Sequence, residues 1–208
     1  MLEIIPIPNG LFEENCYLVH APGSADAVIV DPGDEAERFL AAARSRGLTI
    51  REIWLTHAHV DHITGVRAVR DATGAPIFLH PSDRQLYDNL PAQGAWFGLP
   101  LEPPPPPDRE LAHGDRLRVG DVDVEVRHLP GHSPGHVVFI APGAVLAGDV
   151  LFAGSIGRTD LPGGNLDALL DGIRRELFTL PDETVVYPGH GPATTIGRER
   201  RDNPFLRP

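Results

Sequence analysis

The chain has 208 residues, a formal net charge of −11 and a hydrophobic fraction of 41%. This length is enough for one substantial core, and the acidic balance disfavours nucleic acid as a partner because phosphate binding needs a basic face. The single cysteine, Cys16, excludes an intrachain disulfide framework and a thiolate-rich zinc site. Any metal must therefore be held by imidazole and carboxylate groups.

Apolar runs stay well short of the roughly 20 residues that a membrane-spanning helix needs. The first twenty residues lack a basic segment followed by a long apolar stretch, so no secretory signal is predicted. These features predict a cytoplasmic protein with no membrane partner. All 18 basic residues are arginine, so a substrate anion must be held by arginine, metal or backbone groups.

The first half of the chain alternates between strand-like and helix-like segments. Apolar runs between Gly, Pro and Asn turns predict strands over 2–7, 16–20, 26–31, 51–56 and 76–80. Helices are predicted over 34–47, near 63–72, and from Ser82 to about Leu90. Gly47 ends the first helix and Gly74 ends the second, since glycine is the usual residue after a helix C-terminus.

Residues 91–107, PAQGAWFGLPLEPPPPP, interrupt this alternation. A proline run of this kind favours extended polyproline II, and we interpret the segment as a long surface loop. Strands resume within 115–129, 136–141, 144–149 and 184–190, and helices are predicted over 164–180 and 195–203. The whole of 1–208 is therefore predicted to form one domain, with sheets packed together and helices outside.

Metal-competent side chains follow four of the predicted strands. The motif THAHVDH at 56–62 comes directly after one of them, and glycine-rich turns follow the other three. The seven candidate ligands are His57, His59, Asp61, His62, His132, Asp149 and His190. One catalytic zinc needs about three protein ligands and a water, so seven nitrogen and oxygen ligands favour two metals that share a carboxylate.

Two further patterns restrict the chemistry. His57 and His59 are two residues apart, which differs from the i, i+4 spacing of a zinc motif on a helix. The sequence has no G-x-S-x-G elbow, which disfavours a serine hydrolase. His136 lies within the same glycine-rich stretch as His132 and is predicted to orient a ligand rather than to bind metal. Asp31, in VDPG, is either an anchor for a ligand histidine or part of an ordinary turn.

The segments THAHVDH, LPGHSPGH, AGD and YPGHGP resemble the metal-binding motifs of the metallo-β-lactamase superfamily, in their usual order. More narrowly, GSIGRTDLPGG and TTIGRERRDNPFL resemble the glyoxalase II-like (hydroxyacylglutathione hydrolase-like) branch. The similarity extends from EENCYL almost to the last residue. The chain resembles a form of this branch that lacks the helical C-terminal region, the region that helps glyoxalase II enzymes to hold glutathione.

This resemblance implies an α/β (α+β) fold, a four-layer αββα sandwich with metals in a groove at one edge of the two sheets. It implies that His57, His59 and His132 hold one metal. It implies that Asp61, His62 and His190 hold a second metal and that Asp149 bridges the two. The cofactors are two divalent metal ions, with zinc the first choice and iron or manganese the alternatives, because imidazole and carboxylate suit all three.

The predicted function is a binuclear metal-dependent hydrolase of thioesters such as S-2-hydroxyacylglutathione, acting by attack of a metal-bridging hydroxide. A thioester suits such a site because its leaving thiolate has a pKa of only about 8.5. Asp61 is the candidate catalytic residue that orients the nucleophile, and Arg158 is the candidate contact for an anionic small-molecule substrate.

Three alternatives remain open on the sequence. The first is a mononuclear iron persulfide dioxygenase of the same superfamily, which would use His57, His132 and Asp149 as a two-histidine, one-carboxylate triad. The second, a nuclease, is disfavoured by the acidic balance. The third is a non-catalytic metal-binding module. The sequence makes no prediction of oligomeric state.

Overall fold

The computed structural model describes residues 1–207 and contains two six-stranded sheets and a separate two-stranded hairpin. The first sheet has the order β1-β2-β3-β4-β5-β6. Its strands are Glu3–Asn9, Glu14–His20, Asp26–Val30, Thr49–Trp54, Ile77–Leu79 and Arg109–Glu110. The first three strands pair antiparallel, whereas β3 to β6 pair parallel. Parallel pairing places the ends of β4 and β5 at the same edge of the sheet.

The second sheet has the order β14-β13-β10-β9-β8-β7. The strands from β7 onward are Arg116–Val119, Val122–His128, Val137–Ala141, Ala144–Gly148, Leu151–Phe152, Ser155–Ile156, Val185–Pro188 and Thr194–Thr195. Strands β11 and β12 form the separate hairpin. All pairs in the second sheet are antiparallel except β10 with β13, whose carboxyl ends lie side by side.

Within the described residues 1–207, seven short α-helices complete the fold. Helices α1 to α7 are Ala36–Ser45, Val60–Ile63, Val66–Thr73, Arg84–Asp88, Leu90–Trp96, Leu166–Gly172 and Ile196–Asp202. A 3₁₀ turn, Pro81–Asp83, precedes α4, and a π-helical turn, Ile173–Leu177, continues α6. Across residues 1–207, none of the helices combines the length and the apolar character that a membrane crossing requires.

Three apolar clusters define the layers. The middle cluster joins Val28 and Trp54 of the first sheet to Val126 and Phe139 of the second. A second cluster packs the outer face of the first sheet against α1 and α3, and a third packs the outer face of the second sheet against α6. Helices therefore cover both outer faces of two stacked sheets, which confirms the predicted αββα sandwich.

The prediction of a surface loop over 91–107 is wrong for the first part of that segment, because residues 90–96 form α5. Pro91 lies in the first turn of this helix, where its missing N–H costs nothing. Gln93 and Gly94 face inward, and a Cβ on Gly94 would lie 2.8 Å from a Leu101 methyl carbon, so the helix packs closely on the segment that follows. The helix predicted near 63–72 is also interrupted, with α2 ending at Ile63 and α3 beginning at Val66.

Replacement of Phe139 by alanine is expected to lower the free energy of unfolding by about 3–5 kcal/mol. Phe139 is 1% exposed, and its ring centroid lies 5.1 Å from that of Trp54 in the facing sheet. The loss would be measured by urea unfolding in the presence of a chelator. Phe205→Ala is the matched control, since Phe205 is 52% exposed and an exposed side chain contributes within about 0.5 kcal/mol. Equal losses in the two variants would contradict this assignment of the core.

Candidate metal centre

Two groups of side chains converge at the strand ends on one edge of the sandwich. The first triad is His57, His59 and His132, and the second triad is Asp61, His62 and His190. Within each triad the potential ligand atoms all lie within 4.8 Å of one another. These are the two groupings that the sequence resemblance implies.

Backbone geometry explains how neighbouring residues serve different triads. Strand β4 ends at Trp54, and the chain then bends at Thr56 and reaches His59, whose backbone is extended and which precedes α2. His57 and His59 lie on this irregular segment and reach the first triad. Asp61 and His62 lie in the first turn of α2, so their side chains leave in another direction and reach the second triad.

Asp149 lies between the two triads, directly after β10. Its Oδ1 is 3.4 Å from His62 Nε2, and its Oδ2 is 3.6 Å from the Nε2 atoms of both His132 and His190. One carboxylate therefore contacts members of both triads. A Cβ on Gly189 would collide with Asp149 Oδ1, so this close approach requires glycine at the end of β13.

Backbone carbonyls orient two of the histidines. His132 Nδ1 donates to the carbonyl oxygen of Arg158 at 2.8 Å, and His190 Nδ1 donates to that of Phe12 at 3.0 Å. Because each Nδ1 carries the proton, each Nε2 presents its lone pair to the centre.

A chain of hydrogen bonds orients two more histidines. His62 Nδ1 lies 3.1 Å from Asp31 Oδ2, and His57 Nδ1 lies 3.0 Å from Thr56 Oγ1, which itself donates to Asp31 at 2.5 Å. The Thr56 backbone N–H occupies the other Asp31 oxygen at 2.7 Å. Asp31 thus orients His62, one of the candidate ligands, in line with the first of the two alternatives left open by the sequence. Asp31 also lies within 4.8 Å of His57 and His62, but its oxygens are already engaged.

Buried ligand atoms without hydrogen-bond partners indicate that this set of side chains fits divalent cations. His62 Nε2 and Asp149 Oδ1 are buried, lie 3.4 Å apart and have no hydrogen-bond partner among the described residues. In the first triad, His132 Nε2 lies 2.8 Å from His59 Nδ1 and 3.2 Å from His57 Nε2. Three imidazole nitrogens that converge in a buried space cannot all satisfy one another, whereas a cation satisfies all three.

Electrostatics differ between the triads. Burial, followed by neighbouring imidazoles, holds the pKa of His57 well below its usual range and lowers the pKa of His59 to about 3. Burial alone would also lower the pKa of His62, but the Asp149 and Asp61 carboxylates outweigh it and raise that pKa. His57 and His59 are therefore held neutral and free to donate lone pairs, and the carboxylates around His62 give a negative potential that suits a cation.

Asp83 connects the two loops that carry the first triad, and the sequence did not mark it. It is fully buried at the end of the 3₁₀ turn and accepts hydrogen bonds from Ala58 N–H at 3.0 Å, Ser133 Oγ at 2.8 Å and Gly135 N–H at 2.6 Å. Ala58 lies between His57 and His59, and Ser133 follows His132. One carboxylate thus sets the distance between the two halves of this triad.

Two other side chains support the centre without belonging to either triad. Gln93 on α5 donates to the carbonyl of Ala58 at 2.9 Å and accepts from Val60 N–H at 3.1 Å, so it spans the backbone on either side of His59. His136 accepts a hydrogen bond at Nε2 from Asp149 N–H at 3.0 Å and stacks on His57. Its role as an orienting residue agrees with the sequence prediction.

A groove of about 720 Å³ opens over both triads. Its walls are mainly apolar, and five residues of the centre also line it: His59, Asp61, His132, Asp149 and His190. Arg158, the predicted anion contact, lines the groove and forms a bidentate pair with Asp160 at 2.7 and 2.8 Å. The volume is typical of small-molecule sites.

Comparisons with known proteins agree with this arrangement. The family model for the metallo-beta-lactamase superfamily matches residues 9–190. The hydroxyacylglutathione hydrolase GloC of Haemophilus influenzae is 40% identical over 209 residues, covering 99% of this chain and 97% of that protein. The solved structure of TTHA1623 in a di-iron-bound form is 46% identical, with a TM-score of 0.90 over 97% of this chain and 100% of that one.

A second solved structure, the BLEG-1 B3 metallo-beta-lactamase, is 40% identical, with a TM-score of 0.92 and full coverage of both chains. The relatives thus carry names for more than one activity, while the family model, the sandwich and the fold similarity agree with one another. This chain belongs to the metallo-beta-lactamase superfamily.

Proposed function

We propose that this protein is a binuclear metal-dependent hydrolase of thioesters, with S-2-hydroxyacylglutathione as the representative substrate. The observation that carries the proposal is the position of the Asp149 carboxylate between two complete triads at the floor of an open groove. The hydroxyacylglutathione hydrolase name of a relative 40% identical over nearly the full length supports the choice of thioester.

His57, His59 and His132 would hold one ion, Asp61, His62 and His190 the other, and Asp149 both. Bound dications would supply a water of lowered pKa and polarisation of the substrate carbonyl. Zinc remains our first choice, and the di-iron form of TTHA1623 supports iron as an alternative. Imidazole and carboxylate ligands are compatible with both, and with manganese.

The protein's own side chains would position the reactants, and Asp61 is the main example. Asp61 lies at the groove floor with Oδ2 3.2 Å from His190 Nε2, and its carboxylate would accept the hydrogen bond that orients the attacking water. In the overall reaction the water oxygen bonds to the carbonyl carbon and the C–S bond breaks. The products are a carboxylate, a thiol and one proton released to solvent. The thiolate leaves without strong acid assistance, because its pKa is only about 8.5.

Replacement of Arg158 by methionine is expected to raise KM for S-lactoylglutathione about tenfold and to change kcat by less than about twofold. The guanidinium would bind a carboxylate of the substrate away from the reacting carbonyl, so its loss weakens ground-state and transition-state binding equally. The bond from His132 is to the backbone of Arg158 and survives the substitution. Steady-state kinetics would measure the effect, with Arg174→Met as the surface control, and a drop in kcat at unchanged KM would contradict it.

The proposed function is tested by hydrolysis of S-lactoylglutathione by protein loaded separately with zinc, iron or manganese. Turnover that disappears with a chelator and returns with one of these metals is the expected result. A chromogenic cephalosporin in the same assay tests the activity named for BLEG-1. Absence of thioester hydrolysis in protein that contains two metal equivalents would refute the proposal.

The persulfide dioxygenase remains the second candidate, because iron is among the compatible metals and His57, His132 and Asp149 lie together. A mononuclear iron site would not use the second triad, and we therefore rank the dioxygenase below the thioesterase. Oxygen consumption with glutathione persulfide, measured on the iron-loaded protein, distinguishes it from the thioesterase. The site suits a small-molecule substrate, and cytoplasmic residence remains a prediction.

A further inference from the structure

Exposed apolar side chains gather at one end of the groove. Trp96, the last residue of α5, is 67% exposed, and the next residue, Phe97, is 49% exposed. Both line the groove together with Phe12, which lies in the turn between β1 and β2. We name these three residues the aromatic shelf. Large exposed aromatic groups are costly to leave in water, so their grouping at a groove indicates a binding surface.

The aromatic shelf is preorganised. The rings of Phe12 and Phe97 meet edge to face, with centroids 4.9 Å apart and planes at 78°. This is a favourable geometry for an aromatic pair, and it holds the ring of Phe97 over the groove without help from a ligand.

Two hydrogen bonds to backbone carbonyls place Phe12 and Arg158 beside the triads. The carbonyl oxygen of Phe12 accepts the bond from His190 Nδ1, so the shelf adjoins the second triad. The carbonyl oxygen of Arg158 accepts the bond from His132 Nδ1, so the backbone of Arg158 lies beside the first triad, and its side chain lines the groove. Arg158, the aromatic shelf and Asp149 therefore all line one groove, and Asp149 contacts a histidine of each triad.

We propose that the aromatic shelf binds an apolar acyl group of the thioester substrate. This rests on the proposed function, in which the carbonyl carbon lies over the two triads and the anionic thiol half extends toward Arg158. The acyl half then extends the other way, onto Phe12, Trp96 and Phe97. The substrate class is a 2-hydroxyacyl thioester whose acyl group carries an aromatic ring or an apolar chain of several carbons, because such a group covers the exposed rings.

A second copy of the chain is the other possible occupant of an exposed apolar surface. The shelf is part of the wall of a concave groove that continues to the floor residues His190 and Asp149, and a concave wall suits a small ligand better than a facing protein surface. We therefore assign the aromatic shelf to the acyl group of the substrate.

A matched pair of substrates tests the proposal. S-mandeloylglutathione and S-lactoylglutathione share the thiol and the 2-hydroxyl group and differ in a phenyl ring against a methyl group. We expect kcat/KM to be about tenfold higher for the mandeloyl thioester. Phe97→Ala should bring this ratio close to one, whereas Phe205→Ala, at an exposed phenylalanine outside the groove, should preserve it. Comparing ratios between variants cancels the intrinsic reactivities of the two thioesters, so an unchanged ratio in Phe97→Ala would overturn the proposal.

Binding without chemistry gives an independent readout. S-benzylglutathione is a thioether that water cannot cleave in this way, and it places a phenyl ring where the acyl group would lie. The chain has two tryptophans, and Trp54 is fully buried, so a ligand-dependent change in emission reports on Trp96. We expect a saturable blue shift, with a dissociation constant about tenfold weaker in Phe97→Ala.

The outcomes separate the two proposals. A saturable shift in a protein that hydrolyses neither thioester would support the shelf as a ligand site and refute the thioesterase function. Hydrolysis of both thioesters with equal kcat/KM and no shift would support the function and overturn the shelf. An emission maximum that follows protein concentration rather than ligand would assign the shelf to a second copy of the chain, and would also overturn the proposal.

Discussion

The Asp149→Asn variant is expected to lose at least about a thousandfold in thioester turnover and to bind metal far more weakly at both triads. Asparagine preserves the shape of the side chain but removes the negative charge that lies 3.4–3.6 Å from three imidazoles, one in the first triad and two in the second. The loss therefore reports on the shared carboxylate rather than on packing. Metal content after dialysis, measured by mass spectrometry, and steady-state kinetics would both be required.

Asp123→Asn is the matched control. Asp123 pairs with Arg118 on the surface, with its side chain 60% exposed, so the same change of charge should leave metal content and turnover unaltered. Far-ultraviolet circular dichroism would establish that both variants are folded. If Asp149→Asn retained two metal equivalents and turnover within tenfold of the original, the proposed bridging role would be wrong.

The Asp83→Ala variant is expected to bind metal at the first triad about 10–100-fold more weakly. Removal of this carboxylate leaves the Ala58 and Gly135 N–H groups and the Ser133 hydroxyl without the partner they have in the structure. The loops that carry His57 and His132 can then move relative to each other, and the ligand nitrogens lose their preset separation. Among the described residues, no member of the second triad donates a hydrogen bond to Asp83, so this triad should keep its affinity.

Calorimetric titration with zinc separates this positioning effect from a general loss of stability. The expected profile has one weakened site and one unchanged site, whereas general destabilisation would weaken both. Asp88→Asn is the control, because Asp88 lies on the neighbouring helix and pairs with Arg84 at the surface. Equal weakening of the two sites in Asp83→Ala would refute the positioning role.

The sequence was sufficient for the parts of the centre that follow local rules. Histidine and aspartate directly after apolar strands predict ligands at a sheet edge, because strand ends meet there. This predicted that residues far apart in the chain meet, and Asp149 Oδ2 does lie 3.6 Å from His190 Nε2. The αββα layers were likewise implied by the resemblance and by alternating strands and helices.

The contacts that support the triads could not be predicted from the sequence, and the reason is physical. Asp83 and Gln93 act through single hydrogen bonds to backbone groups of distant segments, and no periodicity or spacing marks such partners. The carbonyls of Phe12 and Arg158 orient two histidines, and a carbonyl oxygen belongs to every residue alike.

In the 91–107 segment, amino-acid composition led to the wrong prediction of secondary structure. Its prolines and glycines favoured a loop throughout, yet Pro91 is compatible with the first turn of α5 and Gly94 permits close packing against Leu101. Tertiary packing decides helix against loop there, and it also decides that Trp96 lies beside the groove.

The contacts of β2 with the loop after β13 have a consequence for biosynthesis. Asn15 donates from its side chain to the carbonyls of Pro188 and Gly191, and Tyr17 donates to that of Pro188. These bonds, with the one from His190 to Phe12, join a segment made early by the ribosome to one made late. All three residues of the first triad precede this late segment, whereas the second triad cannot form before His190 has been synthesised. A nascent chain that has not reached His190 therefore lacks the second triad together with the bonds that hold Asn15 and Tyr17 to the late segment.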